Sequence, residues 1–214
     1  MKNILILFIF VLSFVNINAQ KKFNFEFDYA QFAYDSTSNF VEFYYSFDQR
    51  DLTVQTKDTI NFTAARIRVI VIDSLKNTPI VQKEYRVANI VGQSNDPENK
   101  LLVSKIGFII PKGHYIISMF GRDDIDSIKS KYILEKFSVK PFMTGDLAVS
   151  NIELAKNIKT ENVNKESIFY KNTLEIIPNP TILYSSSAPI LYYYAEMYNI
   201  NLGDTTDALQ LNRL

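Results

Sequence analysis

A chain of 214 residues that is 47% hydrophobic carries enough apolar material for a sizeable core, which excludes an intrinsically disordered protein. Its 23 basic and 23 acidic residues cancel and form no long single-sign block, so there is neither a nucleic-acid footprint nor a polybasic membrane anchor. Cysteine is absent, which removes disulfides, thiolate metal sites, a cysteine nucleophile and a lipidated cysteine.

The first residues read as targeting. Lys2 gives a positive start, residues 4–15 form an apolar stretch of about twelve, and Asn16-Ile17-Asn18-Ala19 ends on a small residue before Gln20. A membrane-spanning helix needs roughly 20 apolar residues. Residues 1–19 are therefore expected to be a cleaved secretory signal peptide, with Ala19 the last residue removed and no membrane span left after cleavage. The expected location is outside the cytoplasm, periplasmic or extracellular.

The mature chain is β-like in composition, with 13 Tyr and 16 Phe against only 6 Gly. From Phe23 the side chains alternate: Phe23, Phe25, Phe27 and Tyr29 against Asn24, Glu26, Asp28 and Ala30, the mark of a half-buried strand. After the turn-rich Asp35-Ser36-Thr37-Ser38-Asn39, a second strand sets Val41, Phe43, Tyr45 and Phe47 against Glu42, Tyr44, Ser46 and Asp48. Further strands are predicted at 64–73, 80–87, 101–110, 114–120 and 131–139. Seven short strands without a convincing helix predict an all-β, immunoglobulin-like antiparallel β-sandwich over residues 23–143. In Pro111-Lys112-Gly113-His114-Tyr115 a Gly lies two residues before a Tyr that opens a strand. That is the pattern of a tyrosine corner, in which the phenol packs inward and its hydroxyl bonds back to upstream backbone.

Residues 144–173, rich in Asn, Lys and Glu, are expected to connect, with Leu147, Val149, Ile152, Leu154 and Ile158 available to dock on the sandwich or form a short helix. A β pattern returns at Leu174-Glu175-Ile176-Ile177, at Ile182-Leu183-Tyr184 and at 190–200, so residues 174–214 are expected to begin a second β domain. About forty residues are too few for a sandwich, and such a half-sheet exposes unpaired edges and an apolar face unless something covers it.

Few residues offer chemistry. The single histidine, His114, sits in the Gly-x-Tyr turn with no acid beside it in sequence, which leaves a Ser-His-Asp or His-based metal site without partners. Gly121-Arg122-Asp123-Asp124-Ile125-Asp126 could supply paired carboxylates or calcium ligands, but Asp clusters at strand ends more often make Asx-turns. Tyr192-Tyr193-Tyr194 could form a platform for sugar rings, with sheet packing as the competing role. We therefore assign no catalytic, cofactor-binding or metal residue and expect a non-catalytic protein without a cofactor. The preferred partner is a protein of the envelope, with a glycan as the alternative and nucleic acid disfavoured.

Three segments carry a family resemblance: residues 146–155 (DLAVSNIELA), Ile176-Ile177-Pro178-Asn179-Pro180, and residues 191–200 (LYYYAEMYNI). With Phe47-Asp48-Gln49 and the Gly-x-Tyr turn, they resemble the N-terminal half of the GWxTD domain-containing proteins, exported proteins of Bacteroidota and related phyla. The resemblance spans roughly residues 25–200 and implies a β-rich, exported protein, and it implies no mechanism. The chain has no Trp, so the Gly-Trp-x-Thr-Asp module that names the family is missing, and no activity of that module is expected. Asp35-Ser36-Thr37, Asp58-Thr59-Ile60, Asp73-Ser74-Leu75, Asp126-Ser127-Ile128 and Asp204-Thr205-Thr206 also resemble the acceptor triplets of Bacteroidota protein O-glycosylation.

Overall fold

The computed structural model describes residues 23–91, 100–143, 145–186 and 189–200. The expected signal peptide lies outside the described residues, as do residues 201–214 of the expected second domain and the triplet at Asp204.

The described chain is all-β and its sheets are antiparallel. The strands are β1 (Phe25–Ala33), β2 (Ser38–Asp48), β3 (Val54–Lys57), β4 (Ile60–Asp73), β5 (Thr78–Ile90), β6 (Leu101–Pro111), β7 (Gly113–Asp123) and β8 (Ser130–Val139). Shorter ones follow: β9 (Ala148–Val149), β10 (Glu153–Lys159), β11 (Tyr170–Lys171), β12 (Leu174–Pro178), β13 (Tyr192–Tyr194) and β14 (Met197–Tyr198). The only helical turn among the described residues is a short 3-10 turn, Gln49–Asp51, capped by the Asp48 side chain.

One sheet runs in the order β1-β2-β6. The other runs β8-β7-β4-β5, with β3 beside the first residues of β4. The alternation read from the sequence explains how they pack. Val41, Phe43, Tyr45 and Phe47 of β2 point one way and meet Ala65, Ile67, Val69 and Val71 of β4, Ile117 and Met119 of β7, and Phe137 and Val139 of β8 in one buried core. Burying each such aliphatic or aromatic side chain contributes about 1.5–3 kcal/mol before entropy is counted. On β4 the intervening Arg66 and Arg68 face outward and pair with Glu84 on β5.

The crossing from the first sheet to the second lies between Pro111, the last residue of β6, and Gly113, the first of β7. There the Tyr115 hydroxyl donates to the Pro111 carbonyl at 2.9 Å while its ring packs on Phe137. A Cβ at Gly113 would lie 2.8 Å from that hydroxyl oxygen, so the glycine is needed to let the tyrosine fold back.

A second, smaller sheet, ordered β11-β12-β10-β13, lies against the outer side of the first, and β9 and β14 form a two-stranded ribbon beside it. Its central strand β10 comes from the stretch read as a connector, which is a strand and not a helix. This packing changes the reading of β2. Its second face, Glu42, Tyr44 and Ser46, was expected to be the wet side of a strand, yet these residues are 4%, 1% and 0% exposed. On β1 the same face carries Ala30 and Phe32, which with Tyr44 form a separate small core capped by Tyr194 of β13. Both faces of β2 are buried because a sheet from more than a hundred residues downstream covers the outer one.

Candidate functional site

Where the small sheet meets the β1-β2-β6 sheet, a groove of about 650 Å³ opens to solvent. It is lined by Phe32, Phe40, Glu42, Lys105, Lys171 and Glu196, among others. Its floor is set by strand register: Glu42 on β2 stands opposite Gly107 on β6, two pairs from Tyr44 opposite Lys105 and on the same face. Gly107 is required here, since a Cβ would lie 2.3 Å from Cζ of the Phe40 ring that lies across it.

At the inner end of the groove lies a cage of buried charges. Lys105 Nζ is 2.9 Å from Glu42 Oε1, and the Tyr44 hydroxyl donates to Glu42 Oε2 at 2.8 Å. Lys171 reaches in from β11 to bond Glu42 Oε2 and, at 2.7 Å, Glu153 Oε2. The Lys171 ammonium also sits 3.7 Å above the centre of the Phe32 ring, with the Tyr194 ring at 5.2 Å, a cation–π arrangement on two sides.

Local sequence positions this lysine. The β11–β12 hairpin closes through Asn172 and Thr173, both left-handed, with φ of 46° and 69°. Two such residues make the turn that matches the twist of a two-residue hairpin. Asn tolerates the conformation, whereas a β-branched Thr is strained in it. Asn172 then donates to the Tyr194 hydroxyl at 2.6 Å and to Glu196 Oε1 at 2.9 Å, and Glu196 also accepts from the Tyr194 and Tyr198 hydroxyls, each at 2.6 Å. The Tyr198 hydroxyl accepts from the Ala33 amide at 2.9 Å, so the network runs back to the edge of β1.

The two acids of the cage differ in charge preference. Burial pushes the Glu42 carboxyl up, but the Lys171 and Lys105 ammoniums pull harder and leave it below its ordinary value. Burial also pushes Glu153 up; Lys171 and, more weakly, Lys105 counter it while Glu42 adds to the rise, and the result stays above the ordinary value. Glu153 is 0% exposed, and among the described residues its Oε1 has no hydrogen-bond partner. Burial, with the neighbouring Glu153 and Glu42 charges, holds the Tyr44 phenol far above its ordinary range, so it remains a neutral donor.

The residues singled out from sequence lie elsewhere. His114 is exposed and its Nδ1 lies 2.8 Å from Ser138 Oγ, in a shallow depression lined by Ser74, Tyr115, Lys136 and Phe137 with no carboxylate. Asp123 is fully buried and spent on backbone: Oδ1 accepts from the amides of Ile125 at 2.7 Å and Asp126 at 2.9 Å, and Oδ2 from that of Thr53. Asp124 bridges Arg66 at 2.6 Å and Arg86 at 2.8 Å. Tyr193 is 62% exposed, but Tyr192 and Tyr194 are half-buried and the Tyr194 ring packs at a tilt against Phe32, so the triplet presents one ring and not a platform. The hydroxyls of Ser36, Thr59, Ser74 and Ser127 all stand on exposed turns.

Sequence reasoning missed Glu42, Lys105, Glu153 and Lys171 as a group. Glu42 and Glu153 each occupy a strand position of their own, and Lys171 looks like one more lysine in a polar stretch. Only Glu42 and Lys105 carry a signal, a charged residue inside an otherwise largely apolar strand. Compared with known proteins, the chain matches no family model and no curated sequence. Among the described residues, no helix is long and apolar enough to cross a membrane.

Proposed function

We propose that this chain is an exported, non-catalytic interaction module of a bacterial cell envelope, in which an immunoglobulin-like sandwich carries a small sheet that presents an apolar surface to a protein partner. The observation that carries the reading is the exposure of that sheet and its flanks. Leu183 is 78% and Tyr193 62% exposed, with Leu147, Ile182, Ile190 and Leu191 all more than half exposed. Clustered apolar side chains of this kind mark interaction sites more often than inert surface. Among the described residues β13 is an edge strand paired with β10 alone, and an extended segment of a partner can add to it by strand pairing while Tyr193 and its neighbours supply pockets.

The immunoglobulin-like assignment is supported by strand order, β1-β2-β6 facing β5-β4-β7-β8, and by the Tyr115 bond across the sheet crossing. The resemblance of residues 146–155, 176–180 and 191–200 to GWxTD domain-containing proteins gives the same compartment. A non-catalytic role is supported by the use of Asp123 and Asp124 as structural acceptors.

The test is retention of an envelope protein from the native host on the immobilised chain, compared with a Leu183→Asp, Tyr193→Asp double variant of unchanged unfolding midpoint. Retention by the wild type alone is expected. Retention by both, or by neither, removes the apolar surface as the binding element.

Carbohydrate binding is the second reading, favoured by one observation: the groove combines the partly exposed Phe40 ring with the hydrogen-bonding groups of Lys105, Asn172 and Glu196. Glycan-array binding that disappears in Asn172→Ala would put it first.

A further inference from the structure

Lys171 is held between two buried acids, Glu42 and Glu153, which their surroundings displace in opposite directions. Glu42 is paired with Lys105 as well as Lys171, whereas Glu153 is paired with Lys171 alone. Glu153 is sealed from water, with one oxygen 2.7 Å from the Lys171 nitrogen and the other without a hydrogen-bond partner among the described residues. A native protein seldom leaves a buried carboxyl half-satisfied without a reason.

The arrangement has the three parts that amide formation requires. The first is a base to free the amine, Glu42, hydrogen-bonded to Lys171 Nζ. The second is an acceptor carboxyl, Glu153, which burial pushes above its ordinary value, toward the neutral form that is electrophilic at carbon. The third is a fixed approach: Phe32 and Tyr194 flank the ammonium, and the strained Asn172–Thr173 turn fixes the strand that bears it. Holding two reacting groups in contact replaces a bimolecular encounter with an effective concentration of about 10⁵ M or more.

We propose that Lys171 and Glu153 condense without any added enzyme into an isopeptide cross-link tying β11 to β10. Glu42 takes a proton from the Lys171 ammonium, and the freed amine attacks Cδ of the neutral Glu153 carboxyl. The C–N bond forms, the nitrogen loses a second proton, and the carboxyl hydroxyl leaves with it as water. The net change is ammonium plus carboxylic acid to amide, water and one proton, the last left on Glu42 and released to solvent through the groove. No oxidant, reductant or activated co-reactant is needed. The product removes one buried acid and one buried ammonium together, and its amide N–H can still donate to Glu42. It also gives a cysteine-free exported chain a covalent tie that reducing or oxidising conditions do not touch.

The experiment is mass spectrometry of the denatured full chain. A mass one water below that of the sequence is expected, with Lys171 resistant to trypsin and a branched peptide joining it to the segment that carries Glu153. Lys171→Arg and Glu42→Gln, each shown by circular dichroism to retain the β fold, are expected to return to the full mass. A full wild-type mass, tryptic cleavage after Lys171, or a dehydration mapped to other residues overturns the proposal and leaves the three side chains as an ion cage only. Persistence of the cross-link in Glu42→Gln overturns the role of Glu42.

Discussion

Lys171 brings a charge from the tip of a two-residue hairpin into the centre of the molecule, and its neighbours depend on it. Replacing it by Met leaves Glu42 and Glu153 sharing only Lys105, and breaking a buried ionic set in this way costs about 3–5 kcal/mol. Urea unfolding should show that loss. Glu42 predicts the acid response. Its folded-state value lies below the ordinary 4.5 of the unfolded chain, so the stability it contributes is complete above about pH 4.5 and is lost as the pH falls through the folded value. An unfolding midpoint followed from pH 7 to 3 is therefore expected to fall less steeply below pH 4.5 in Glu42→Gln than in the wild type. Tyr115→Phe removes only the bond to the Pro111 carbonyl and is expected to cost about 1 kcal/mol by the same urea assay.

Strands were legible in the sequence to the extent that period-two alternation fixes which side chains share a face. The strands predicted from 64 to 139 are present with their ends moved by a few residues, and the tyrosine-corner pattern at Tyr115 places the sheet crossing. What alternation cannot supply is the environment of the second face. Glu42 and Tyr44 were placed opposite Phe43 and Tyr45, yet polarity alone gave no means to see that β10 and β13 would cover them. Two elements carry their own tests. At the β11–β12 turn, Thr173→Gly relieves a left-handed β-branched residue and is expected to raise stability by about 1 kcal/mol, read as a higher midpoint. On β6, Gly107→Val drives a side chain into the Phe40 ring and is expected to cost about 1–3 kcal/mol, with the penalty vanishing in a Phe40→Ala background.

At the scale of the whole molecule, stacking the small sheet on the sandwich turns one side of an antiparallel sheet from a surface into an interior. The main core gathers residues from both large sheets, whereas the second core is three residues and one cap, Ala30, Phe32, Tyr44 and Tyr194. That inequality sets a dependence between the parts. The sandwich closes its core without any side chain beyond Val139, while the small sheet has nothing to rest on until β1 and β2 have paired. Assembly is therefore sequential and in one direction. Amide hydrogen exchange should find the slowest protons in β2, β4 and β7 and a faster class in β10, β12 and β13. A lesion such as Val69→Ala should speed exchange everywhere, and one confined to the small sheet should leave the β4 and β7 protons as slow as before.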